Sequence, residues 1–156
     1  MSLFYSVVFT QNAPDLEPLV SKVAANYDTS LEVITQHNNK ELLFQNGHLL
    51  LALRASDRTD YYELSFGEYH YKKRWYITLG KEDTIAASSL LFQLVGKVAS
   101  EFTLDFLFLF NGELVILKKE AGILYLNQEA DVWSNANNLA IFQNSTLEFV
   151  SYPVNY

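Results

Sequence analysis

Cysteine is absent from this 156-residue chain, which excludes a disulfide framework, a thiolate metal site and a nucleophilic thiol together. A reducing cytosol is the compartment such a composition fits. Proline and glycine, at three and six residues, are too sparse to build a linker, and no internal repeat or low-complexity tract is present. No apolar run reaches membrane-spanning length, and Met1-Ser2-Leu3-Phe4-Tyr5 carries no basic segment of the kind that opens a secretory signal. These absences predict one soluble, cytosolic domain over residues 1–156. A domain of this size buries roughly 68–70% of its unfolded surface and needs no metal or disulfide staple.

Positive charge is also scarce. Eleven Lys and Arg stand against 18 Asp and Glu, for a net charge of -7. That balance argues against a direct nucleic-acid binder, whose affinity comes largely from cations on phosphates. It suits a basic partner instead. The imbalance is concentrated: residues 101–156 hold seven acids and only Lys118 and Lys119 as bases. A solubility surface is the plainer account of that charge, and a binding face is the sharper one.

What is present is β-forming and aromatic sequence. Residues 3–10 predict a first strand, broken by Asn12-Ala13-Pro14-Asp15. Leu16, Leu19, Val20, Val23, Ala24 and Tyr27 then recur at helical spacing, with Asn12 or Asp15 placed to cap. Between 31 and 79 the chain reads as short strands at 31–35, 42–45, 49–53, 61–66 and 75–79. Asn46-Gly47 joins the second to the third, and a connection from Gly67 to Lys73 joins the last two. The period changes at Glu82–Phe102, which predicts a longer helix begun by Thr84 and its neighbouring acids. Ile85, Ser88, Ser89, Phe92, Val95, Gly96 and Ala99 would share one side of it. The run Leu104–Leu117 is a hairpin about Asn111-Gly112, because a type I′ turn needs positive φ at both central residues. A strand at 123–126, a short helix at 135–142 and an extended tail from Asn144 complete the reading, the tail held down by Leu147, Phe149 and Val150. The expected architecture is α+β: a single domain with a mainly antiparallel sheet and two main helices packed on one face.

Catalytic motifs are not found. There is no nucleophile elbow and no glycine-rich phosphate loop, and His37, His48 and His70 lack metal-ligand spacing. No catalytic residue, cofactor or metal is therefore expected, and the chain is read as a non-enzyme. Glu82-Asp83 sits where acids favour a helix start, and Asn144-Ser145-Thr146 is a chance sequon in a chain without a signal peptide. Trp75 and Trp133 could stack on a ligand, but a core anchor and a helix-start staple account for them. The densest unusual segment runs from Asp57 to Tyr71. In a strand of period two, Tyr61, Glu63 and Ser65 share one face and Tyr62, Leu64 and Phe66 the other, with Tyr69 and Tyr71 extending the first face past Gly67. Tyrosine combines large contact area with a polar tip, so Asp60, Tyr61, Glu63, Glu68, Tyr69 and Tyr71 form the candidate partner-binding group. The alternative is that these aromatics cover a strongly curved sheet.

An apolar strand ending in Phe110-Asn111-Gly112-Glu113, a second apolar strand, and then Gly122-x-Leu124-x-Leu126-Asn127 resembles the Sit-type immunity proteins of bacteria. The opening, from Leu3-Phe4-Tyr5 to Thr10 and into a helix, agrees. The resemblance implies an α+β domain that binds and neutralises one cognate, contact-delivered toxin, and it carries over no binding residue. With the acidic charge, it points to a cationic toxin domain, of the nuclease or NAD-using transferase class, as partner, with neither nucleic acid nor membrane bound directly. A non-catalytic adaptor or chaperone-like binding module is the alternative.

Overall fold

Phe4–Phe9 is rich in aromatic and β-branched residues and forms β1, the central strand of the sheet. The structure, a computed structural model, describes residues 4–11, 16–26, 30–36, 39–45 and 47–154. The capping candidates Asn12 and Asp15, with Tyr27, His37 and Asn46, lie outside them. In chain order the elements are β1, α1 (Leu16–Asn26), β2 (Ser30–Gln36), β3 (Asn39–Gln45), β4 (Leu49–Leu64), β5 (Gly67–Leu79), α2 (Thr84–Glu101), β6 (Phe106–Phe110), β7 (Leu114–Glu120), β8 (Ile123–Asn127), α3 (Ala136–Ile141) and β9 (Leu147–Val150). Among the described residues, nine strands join one sheet in the order β2-β3-β4-β5-β1-β6-β7-β8-β9. The fold is α+β with a mainly antiparallel sheet, as expected; among the described strands only β9 runs parallel to its neighbour, β8. None of the described helices is long and apolar enough to cross a membrane.

β1 is buried on both faces, and each face has its own cover. Tyr5, Val7 and Phe9 enter a large core with Phe44, Leu51, Trp75, Phe106 and Phe108, and the buried side chains of α1 and α2 belong to that same core. Val8 points the other way and clusters with Leu107, Leu109 and Val115; among the described residues no helical side chain contributes to this second cluster. Its cover is Leu64 and Tyr71, flanked by Tyr62, Phe66 and Tyr69, all from β4, β5 and the turn between them.

That cover corrects the reading of residues 49–79. The two strands expected at 49–53 and 61–66 are one strand of 16 residues, and the connection expected from Gly67 to Lys73 is itself strand, within a β5 of 13 residues. Arg54–Asp60 has little strand propensity of its own, but pairing with β5 holds it extended; context overrides propensity here. The turn is only Ser65-Phe66, with Gly67 at φ +112°.

α2 starts where expected, capped by Asp83, one of the acids beside Thr84, whose Oδ1 accepts the Ala86 N–H at 3.1 Å. Its buried stripe is rotated from the expected one, running through Ala87, Leu91, Leu94 and Val98 as well as Phe92, Val95 and Ala99. Ile85 is 85% exposed and Ser89 is exposed. At its other end, Lys119 from β7 donates to the Ala99 and Phe102 carbonyls at 2.8 and 2.6 Å, satisfying acceptors that a helix terminus leaves open. The β6–β7 turn has Asn111 at φ +54° and Gly112 at +71°, with Glu113 N–H donating to the Phe110 carbonyl at 3.2 Å, as the Asn-Gly pair predicts. Trp75 is a fully buried core anchor, edge-on to Phe9 at 4.8 Å. Trp133 lies in a single 3-10 turn (Asp131–Ser134) before α3, donates to the Ile116 carbonyl at 3.0 Å and packs edge-on to Phe92 and Phe142. The tail from Asn144 is laid on the body as β9.

Candidate functional site

The outer halves of β4 and β5 leave the main sheet as a two-stranded arm. Up to Asp57, β4 pairs with the part of β5 that also pairs with β1; from Asp60 to Leu64 it pairs only with Tyr71 to Gly67. Between these stretches Arg58 and Thr59 oppose Lys72 alone, a bulge. An extra residue on one strand bends the ribbon and increases its twist, which accounts for an arm that turns onto the sheet's second face.

Register decides which side chains the arm shows. Tyr61 opposes His70, Tyr62 opposes Tyr69, Glu63 opposes Glu68, and Asp60 opposes Tyr71. Cross-strand partners share a face, so Tyr61, Glu63, Glu68 and His70 lie outward while Asp60, Tyr62, Tyr69 and Tyr71 lie toward the sheet. The expected alternation within β4 holds. Its extension past Gly67 does not: a two-residue turn makes odd positions of β5 follow even positions of β4. Tyr71 is 3% exposed and Tyr69 half-buried, so both belong to the covering face and not to the candidate surface. Asp60 is engaged within the arm, its two oxygens taken by the Tyr61 N–H and the Arg58 guanidinium, both at 2.9 Å. Of the six candidates the structure brings together Tyr61, Glu63 and Glu68, and it adds His70.

On the outward face Tyr61 is 46% exposed, its ring 5.3 Å from that of His70. His70 Nε2 lies 3.0 Å from Glu68 Oε2. Glu63 and Glu68 are exposed and directly opposed across the ribbon. Like charges in that position cost stability. The inward face is ordered by aromatic contact: Tyr62 stacks on Tyr71 at 5.4 Å, Phe66 meets Tyr152 at 4.7 Å, and the Arg74 guanidinium lies over the Tyr62 and Tyr76 rings while donating to Ser6 Oγ. Burial raises the Tyr62 phenol above its ordinary pKa, against the opposing charge of Arg74. His70 was the residue sequence reasoning missed; the turn length that places it opposite Tyr61 was the signal available.

No family model, no curated protein and no solved structure matches this chain. Among the described residues no group of three His, Asp or Glu side chains could hold a metal ion. The arrangement on the arm is therefore characterised by its own chemistry: aromatic contact area, two opposed carboxylates, one of them in contact with an imidazole, raised on a ribbon whose other face is fixed to the sheet.

Proposed function

We propose that this protein is an immunity factor: it binds a cationic toxin domain through the outward face of the β4–β5 arm and occludes the toxin's active-site cleft in the cytosol of the producing cell. The observation that carries this reading is the exposed Glu63–Glu68 pair beside Tyr61 and His70. It is a like-charge arrangement that costs the free protein and is relieved by a partner's cations. The resemblance of Phe110–Asn127 to Sit-type immunity proteins and the net charge of -7 support it. Such a protein works without turnover of its own, by burying about 1,600 Å² with a few desolvated anchors at the centre. Acidic charge steers the encounter with a cationic cleft, and Tyr61 supplies contact area once docked.

The experiment is co-expression with the toxin gene encoded beside it, followed by size exclusion and stopped-flow binding. Rescue of growth and a stable complex are expected. Glu63→Gln with Glu68→Gln should slow association and flatten its salt dependence while the free protein becomes slightly more stable, because exposed charges act at long range and are screened. Neither rescue nor complex would end the immunity reading and leave an adaptor or chaperone-like module. Rescue with unaltered kinetics in the double variant would move the contact elsewhere on the protein.

A further inference from the structure

Only half of the sheet's second face lies under the arm. Val8, Leu107, Leu109 and Val115 are buried there, whereas on β3, β4 and β5 the side chains of that face stay open: Arg54 is exposed, and Leu43, Ala52, Arg74 and Tyr76 are half-buried. Register ties the two halves together. Arg54 opposes Tyr76, Tyr76 opposes Ser6 and Ser6 opposes Leu109, so one row of residues runs from the open half to beneath the arm. The open half is basic and aromatic. The Arg54 and Arg74 guanidiniums lie 4.6 and 4.1 Å from the centroid of the Tyr76 ring, and Tyr76 stacks on Phe4 at 6.3 Å. Arg74 also donates to Ser6 Oγ. Glu41 opposes Arg54 in register, yet among the described residues neither arginine is in an ion pair, in a chain with seven more acids than bases.

The arm's outward face is the complement of this open half: Glu63 and Glu68 beside Tyr61 on one, two guanidiniums around an aromatic ring on the other. Within one molecule the two cannot meet, because the outward face points away from the sheet that carries the arginines. In two copies they meet twice. A half-turn of a second copy about an axis parallel to the strands, over β5, brings the two second faces together and keeps every residue row at its level. Each arm then lies between its own β1, β6 and β7 and the other copy's β3, β4 and β5, as a middle layer in face-to-face packing at the usual spacing of about 10 Å. A two-fold contact is self-complementary, so each acid-to-arginine meeting occurs twice. Arginine suits this place, since its planar group pairs with a carboxylate while its face rests on a ring.

We infer that the protein forms a two-fold dimer through its second face, in which Glu63 and Glu68 of each arm meet Arg54 and Arg74 of the second copy and Tyr61 packs against Phe4 and Tyr76 there. Exposed charge pairs contribute modestly, so a Kd of about 10 μM is expected and dilute protein is monomeric. The dimer covers the face that the immunity reading gives to the toxin, so toxin and second copy exclude each other. The dimer itself does not rest on that reading.

Sedimentation velocity of the full chain from about 1 to about 200 μM tests this, with monomer expected at the low end, dimer at the high end, and a shift toward monomer as salt is raised. Two charge-reversed variants locate the contact. Glu63→Lys with Glu68→Lys changes the arm, and Arg54→Glu changes the open half. Each alone should dimerise at least about tenfold more weakly, because like charges meet at both contacts. An equal mixture should dimerise again, since the mixed pair has one native contact and one with its signs exchanged. Arg54→Gln, which sets no second carboxylate opposite Glu41, should also weaken the dimer and serves if Arg54→Glu does not fold. A wild-type chain still monomeric at about 200 μM, a dimer indifferent to both variants, or a mixture no better than its parts would overturn the proposal. Growth rescue by a chain that never dimerises would refute the dimer and keep immunity, and a dimer without rescue would do the reverse.

Discussion

Replacing Asn127 by alanine should release the C-terminal strand. Asn127 is fully buried and uses its whole hydrogen-bonding capacity: Nδ2 donates to the Val115 carbonyl at 2.7 Å and the Tyr152 carbonyl at 2.8 Å, and Oδ1 accepts the Glu129 and Tyr152 N–H groups at 3.1 and 2.9 Å. Intramolecular hydrogen bonds of this kind contribute about 1 kcal/mol each in net terms. Glu129 is exposed and its N–H can turn to water, whereas the Val115 carbonyl sits within the β7 ladder beside buried Leu109. The expected loss is therefore about 3 kcal/mol, which for a domain of this length lowers Tm by roughly 6–12 °C. The loss should be local first. Leu124 N–H donates to the Thr146 carbonyl and Gln128 N–H to the Val150 carbonyl, so hydrogen exchange at Leu124 and Gln128 should accelerate before the β1–β6 amides respond. Thermal unfolding followed by circular dichroism measures the first quantity and native-state exchange the second. Asn127→Asp retains the acceptor but turns an oxygen on two carbonyls, and should be at least as harmful. A loss below about 1 kcal/mol, or unchanged protection at Leu124 and Gln128, would refute the reasoning that this side chain clasps the tail.

Two further perturbations follow from the core. A Cβ at Gly80 would lie 1.9 Å from the Leu49 carbonyl oxygen, while Gly80 N–H donates to the Leu50 carbonyl at 2.7 Å, so neither backbone can yield; Gly80→Ala should cost about 3 kcal/mol or more by denaturant midpoint. Gly112→Val meets only ordinary contact with Tyr62 and should cost about 1–2 kcal/mol through its positive φ; equal losses at the two sites would refute the distinction. Stability should also fall as pH rises above about 10, because burial raises the phenols of Tyr5, Tyr62 and Tyr69 above their unfolded value of 10.0, so the unfolded chain loses protons that the native state keeps. Lys119, held below its ordinary pKa by burial, works in the opposite direction just below 10.5. Urea midpoints from about pH 8 to about pH 11 test the sign, and Tyr69→Phe should flatten the decline.

Local chemistry made much of this protein legible before any coordinates. Asn111-Gly112 has the residues that two positive φ angles require, and the structure puts both there. The change from period two to period 3.6 located α2, and the tail lies on the body as expected with Leu147 and Val150 partly buried, though Phe149 is 54% exposed. These features depend on a residue and its near neighbours in the chain. Which residues share the arm's outward face is a different kind of fact. It depends on a two-residue turn, a bulge opposite Lys72 and a 16-residue strand kept extended by its partner, all properties of pairing between distant segments. Register therefore divided a sequence cluster that periodicity had joined, sending Tyr69 and Tyr71 inward and bringing His70 out. The parallel pairing of β9 with β8 is decided at the same level, because it depends on which edge of the assembled sheet a later segment of the chain reaches.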